Sequence, residues 1–205
     1  MRIVTPSLCR FRDNGVLKSI MNAYLNAYSV DTLWQPLPLC ADPRLRRWLL
    51  GRGSLTRRIQ SRCEHFHVDL LLQRLAAVGF DECGLVRARP GASVLVREVT
   101  LNCGTRPLVF AHSVVEPCAL RGPWHMLMTL GTRPLGAAVF SNPRVERYAL
   151  RFRKIGRQHA LYRHASEFIA RPPPTLWARR SVFVLRNSRL LVTEVFLPAI
   201  LHLAP

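Results

Sequence analysis

Lysine is nearly missing from this chain: of 30 basic residues only Lys18 and Lys154 are lysines, and 12 acidic residues against them leave a formal net charge of +18 over 205 residues. Such a balance favours an anionic partner, whether nucleic acid, a membrane surface or a small acidic substrate. The skew toward arginine reads first as the codon bias of a GC-rich genome. The arginines are scattered through 44–47, 56–58, 151–154 and 178–180, without the single basic arm or helix face that tracks a phosphate backbone. No nucleic-acid partner is therefore expected. No stretch stays apolar long enough to span a bilayer, and the opening residues lack the apolar centre of a secretory signal. A cytoplasmic protein without a membrane span is expected. The six cysteines, at 9, 40, 63, 83, 103 and 118, form no CxxC pair and keep no regular spacing with histidine. Neither a metal site nor a disulfide framework is signalled, so reduced thiols are expected.

What is present fits one domain with a sizeable core. Residues 1–36 mix polar and apolar residues without a clean period and contain Met21, so they read as an N-terminal extension, peripheral or mis-started, ahead of a folded domain over 37–205. Asp42 and Pro43 cap and begin a helix with Leu45, Trp48 and Leu49 on one face, Gly51 offers its stop, and a second short helix follows. HVDLLLQRLAAVGF at 67–80 suits either helix or strand. SVLVREVTLNC at 93–103 is a clear strand, and GTRP at 104–107 turns it into LVFAHSVVEP, a hairpin. Residues 124–140 read as helix or loop, broken by Gly131, Pro134 and Gly136. RVERYALRF reads as a further strand, and SVFVLRNSRLLVTEVFL as a second hairpin turning near Asn187 and Ser188. The pattern predicts an α+β fold with one antiparallel sheet of about six strands.

Strand alternation singles out two charges. Arg97 shares a face with Leu95, Val99 and Leu101, and Glu194 shares one with Leu190, Val192 and Phe196. A lone buried charge costs several kcal/mol, so each needs an answer. Either the two answer each other as a buried salt bridge, or they line a polar site in an apolar chamber. His112, on a face with Leu108, Phe110 and Val114, is a third polar candidate or a satisfied core residue.

The ordered segments WLLGRGSLTRRI, LVREVTLNCGTRPLVFAHSVVEP, LGTRPLGAAVF and LWARRSVFVLRNSRLLVTEVFLPA resemble successive segments of the chorismate lyase (chorismate pyruvate-lyase) family, over roughly residues 38 to 200. The resemblance implies a single antiparallel sheet whose helical flaps cover an internal site. It implies a lyase that eliminates pyruvate from chorismate to give 4-hydroxybenzoate, the first committed step toward the ubiquinone ring, with no metal or organic cofactor. The implied partners are substrate and product alone, on a monomer. Carried over residue by residue, the ligand-binding arginine falls on Arg97, the acidic residue on Glu194, and the two flap contacts on Leu55 and Leu135. One departure falls at His112, a position where other members carry an arginine, leaving the second carboxylate of the substrate to His112 or to another arginine. The rival reading is a non-catalytic effector-binding module, because the fold also resembles the effector domain of some bacterial transcription regulators. Residues 1–36 are expected to be too short for the DNA-binding domain of such regulators.

Overall fold

The computed structural model of the protein describes residues 33–203; up to residue 32, the expected extension lies outside the described residues. At its end, Trp34 is buried and Gln35 exchanges two backbone hydrogen bonds with Phe152.

Helix α1 (Pro43–Leu50) starts where expected, because the Asp42 carboxylate accepts from the amides of Arg44 and Leu45 at 2.8 and 3.3 Å. Gly51 ends it, and Trp48 and Leu49 face the core. Helix α2 (Leu55–Gln60) is capped by Ser54, whose hydroxyl accepts from the Arg57 amide at 3.3 Å. Arg58 ties the two helices together. Its guanidinium donates to the carbonyls of Trp48 and Arg47, both at 3.0 Å, and stacks 4.7 Å from the Trp48 ring.

The strands are β1 (Phe66–Ala77), β2 (Ser93–Cys103), β3 (Arg106–Val115), β4 (Glu146–Arg147), β5 (Arg151–Gly156), β6 (Thr175–Leu185) and β7 (Ser188–Phe196). They form one antiparallel sheet in the order β1-β2-β3-β7-β6, with β4 and β5 both pairing along the outer edge of β6. The sheet thus has seven strands among the described residues. The extra one arises because the expected strand over 144–152 divides into β4 and β5, which bond to opposite ends of β6. The ambiguous segment at 67–80 is strand: β1 pairs with β2 along its whole length, with one register shift between Leu70 and Leu72. The second hairpin turns one residue early, at Arg186 and Asn187, both with positive φ (48° and 65°), as a two-residue turn of the twist-matching kind requires.

One expectation fails outright. Cys63 and Cys103 are joined in a disulfide, so the cysteines are not all reduced thiols. Register explains it: Phe66 lies opposite Cys103, so the chain entering β1 carries Cys63 to within 5.8 Å of Cys103, Cα to Cα. A separation of 40 residues left no spacing motif to read. Cys40, Cys83 and Cys118 are free, and Cys9 lies outside the described residues.

Both faces of the sheet are covered. Helices α1, α2 and α4 (Leu135–Ser141), with short 3-10 turns at Pro117–Arg121, His125–Thr129 and Pro198–His202, pack over the face that carries Val99, Phe183 and Phe196. Helices α3 (Cys83–Val86) and α5 (Ala160–Ser166) cover the other, where Phe110, Val114 and Val195 point. No helix among the described residues is long and apolar enough to cross a membrane.

Candidate active site

Two rows of side chains cross the first covered face. One runs Arg97, Ser113, Val192, Ser181 from β2 to β6; the next runs Val99, Ala111, Glu194, Arg179. Cross-strand partners share a face, so alternation alone brings Arg97 and Glu194 to the same side. They stand two strands and one pleat repeat apart, about 12 Å between Cα atoms from standard strand spacing. The strand between them, β3, contributes only Ala111 and Ser113, and these small side chains leave a hollow in the sheet's surface. The resulting chamber is lined by Leu55, Val99, Leu135, Phe183 and Val192 together with Arg97 and Glu194.

Arg97 forms one end. It is 2% exposed, has no carboxylate partner among the described residues, and donates from Nη2 to the carbonyls of Gly131 and Arg133 at 2.8 and 3.4 Å. Its Nε is buried with no hydrogen-bond partner. Desolvation pushes its pKa below the ordinary arginine value. A buried cation with an orphaned donor is ready for an anion.

Glu194 stands in the neighbouring row and is not bonded to Arg97. Its partner is Arg179, whose Nε donates to Glu194 Oε2 at 2.5 Å. Arg179 is 1% exposed, and its Nη1 also donates to the carbonyls of Trp48, Leu49 and Gly51 at 3.2, 3.0 and 2.9 Å. The last carbonyls of α1, which lack helical partners, therefore fix the guanidinium that orients Glu194. Two further guanidinium groups, those of Arg58 and Arg147, lie close enough to Arg179 to feel its charge. Desolvation and then the charge of Arg179 lower both Arg58 and Arg147, the latter to about 10, while Glu194 partly offsets this.

Leu55 and Leu135 sit over the chamber, one at the start of α2 and the other at the start of α4. The two flaps meet closely at Gly136. A Cβ there would stand 3.0 Å from Ser54 Oγ and 3.2 Å from Thr56 Oγ1, so a side chain would push the flaps apart.

His112 is not part of this chamber. Register pairs it with Glu98, one residue out of phase with Arg97, so it points to the opposite face. There its Nδ1 lies 2.9 Å from Glu98 Oε1 and its Nε2 3.1 Å from Glu82 Oε1; the second contact is an ion pair without hydrogen-bond alignment. His164 Nδ1, from α5, reaches the same Glu98 oxygen at 3.0 Å. Of the residues singled out from sequence, the structure gathers Arg97, Glu194, Leu55 and Leu135 around one hollow and leaves His112 behind the sheet. Sequence reading missed Arg179 and Arg147. For Arg179 the signal was present, since strand alternation sets it with Trp177, Ser181 and Phe183.

The family described as chorismate lyase matches residues 29–204 of the chain. The chain belongs to that family. A "probable chorismate pyruvate-lyase" of Nitrosomonas europaea is 47% identical over 170 residues, covering 83% of this chain and 96% of the relative. One of Nitrosospira multiformis is 49% identical over 172 residues, with 83% and 96% covered. Among solved structures, the PhnF C-terminal domain aligns with a TM-score of 0.51 at 12% identity over 67% of this chain and 84% of that one. A transcriptional regulator of the GntR family from Bacillus cereus aligns at 0.50 and 11% identity over 65% and 92%. At such identities these likenesses concern the fold alone.

Proposed function

We propose that this chorismate lyase family member eliminates pyruvate from chorismate, leaving 4-hydroxybenzoate as a ring precursor for ubiquinone. The observation that carries the reading is the pairing of an unanswered buried cation, Arg97, with an oriented carboxylate, Glu194, across a hollow closed by two apolar flaps.

Chorismate bears a carboxylate on its ring, an enolpyruvyl ether at the next-but-one carbon, and a hydroxyl beside the ether. Elimination breaks the ring carbon to ether oxygen bond and removes the hydrogen on the hydroxyl-bearing carbon. The enolpyruvate released takes up a proton to become pyruvate, and the ring becomes aromatic. Aromatisation supplies the driving force, so the protein has chiefly to hold the dianion in the reactive geometry away from water.

In this reading Arg97 grips the ring carboxylate, its free Nε supplying a donor that no protein group uses. Glu194, presented as a carboxylate by Arg179, accepts from the ring hydroxyl at the far end and orients the adjacent carbon for proton loss. Leu55 and Leu135 close on the ring faces and exclude water. Product then leaves only when the flaps part, which makes release a step that can limit turnover.

The test is direct. Purified protein is incubated with chorismate while 4-hydroxybenzoate absorbance and pyruvate are followed together. Equal release of both supports the reading; tight binding of 4-hydroxybenzoate without any turnover of chorismate would leave an effector-type binding module in its place.

A further inference from the structure

Chorismate has two carboxylates, and the reading above assigns a partner to only one. The chamber wall carries three guanidinium groups near the ligand space, those of Arg97, Arg147 and Arg179, against one acid, Glu194. Arg179 is already engaged: its Nε bonds Glu194 and its Nη1 is shared among three backbone carbonyls. That leaves a formal excess of two positive charges, matching a dianion, on Arg97 and Arg147.

Arg147 projects from the two-residue strand β4, whose register sets it opposite Phe183 on β6. Its Nε donates to Ser181 Oγ at 3.1 Å and its Nη1 to the carbonyl of Arg52, in the loop that leads into α2. Its guanidinium carbon lies 5.3 Å from the Phe140 ring and 5.4 Å from the Phe183 ring. None of the ion pairs among the described residues involves it. Ser181, its hydrogen-bond partner, closes the row of side chains that begins with Arg97, so the two cations flank the hollow from opposite walls. Burial and the repulsion of Arg179 lower its pKa to about 10, and a bound anion would relieve both penalties.

We propose that Arg147 binds the enolpyruvyl carboxylate of chorismate, so that each carboxylate of the substrate is taken by its own arginine. The inference rests on the function proposed above and extends it. It also gives the site a way to tell substrate from product. Elimination transfers the second carboxylate to pyruvate, and 4-hydroxybenzoate, with one carboxylate, has no hold on Arg147.

Two unreactive probes isolate this contact: 3-(1-carboxyethoxy)-4-hydroxybenzoate, which keeps both carboxylates, and 4-hydroxy-3-isopropoxybenzoate, which replaces the second by a methyl group. Calorimetric titration of the wild type is expected to show a preference for the dicarboxylate on the order of 10- to 100-fold, the range of a charge-assisted hydrogen bond. Arg147→Gln is expected to abolish that preference while 4-hydroxybenzoate affinity stays within about twofold, and Arg147→Lys to restore part of it. A wild type without the preference, a preference that survives in Arg147→Gln, or an equal loss of 4-hydroxybenzoate affinity in both variants would each overturn the assignment. The last outcome would mark Arg147 as a mere support for Phe140, Phe183 and the Arg52 loop. Chorismate turnover by the wild type separates the two readings. No turnover sinks the proposed function, whereas turnover with kcat/KM unchanged in Arg147→Gln sinks the role of Arg147 alone.

Discussion

Arg179 and Glu194 are directly opposed on adjacent strands, and the 2.5 Å contact between them lies within a guanidinium that also holds three carbonyls around the end of α1. The acid of the site and the end of the first helix are thus tied by a single side chain.

Removing that side chain has two effects at once. Arg179→Met leaves the Glu194 carboxylate without its partner and strips a donor from Trp48, Leu49 and Gly51. Breaking a buried pair from one side destabilises by about 3–5 kcal/mol. Urea unfolding is expected to show a loss of this size, with Glu194→Gln losing less because its amide can still accept from Arg179. A loss below about 1 kcal/mol for Arg179→Met would contradict the described network.

Arg97 behaves in the opposite sense. It has no acid to leave stranded, and its burial already disfavours its charge. Arg97→Met is therefore expected to keep or raise the urea midpoint while 4-hydroxybenzoate affinity falls by at least about 1.5 kcal/mol, more than tenfold. Arg97→Lys should recover little affinity, because an ammonium lacks the planar fork. A variant that lost stability and affinity in parallel would make Arg97 a structural cation instead.

Much of this was legible beforehand, for a physical reason. The cap at Asp42 and Pro43 is local chemistry, and the opposed placement of Arg97 and Glu98 follows from the two-residue period of a strand. The segment 66–77 was not legible, because its leucines suit both periods and only pairing with β2 decides. Arg179 was hidden among scattered arginines until register set it against Glu194. His112 was set on the right strand, but only the β2–β3 register shows that it pairs with Glu98 and faces away from Arg97.

The cluster behind the sheet sets a pH dependence. Burial alone would depress the His112 imidazolium, but the close charge of Glu82 and the hydrogen bond and charge of Glu98 outweigh it and raise its pKa to about 10. A raised folded pKa gives stability that is complete below the unfolded value near 6.5 and lost as pH climbs through about 10. Urea midpoints are expected to fall across that interval by an amount equivalent to a few kcal/mol, and His112→Phe should flatten the slope there. On the acid side, burial of Asp81 is outweighed by His159, Arg180 and Trp34, which hold its pKa at about 2. Its contribution persists above the ordinary aspartate value and is lost only as pH falls through that lower one.

Gly136 offers a test of the flaps. Ser54 Oγ is engaged in capping α2 and cannot swing aside freely. Gly136→Ala is expected to separate the flaps and speed 4-hydroxybenzoate dissociation by several-fold in stopped-flow measurements, with little change at Arg97. An unchanged dissociation rate would show that the flaps tolerate the methyl group.

The disulfide can be read out chemically. Alkylation of the unfolded, unreduced chain should leave Cys63 and Cys103 unmodified, and Cys63→Ser should cost up to about 4 kcal/mol by loop-closure entropy for a loop of this length.

That covalent link also breaks the symmetry of the two flaps. Helix α2 is held twice, by Arg58 to the carbonyls of α1 and by the Cys63 crosslink just past its C-terminus to the end of β2, whereas α4 begins at Pro134 without a capping side chain and has neither tether. The chamber is therefore a room with one fixed jamb and one swinging door. Ligand passage is expected on the Leu135 side, and amide hydrogen exchange should run faster over 135–141 than over 55–60.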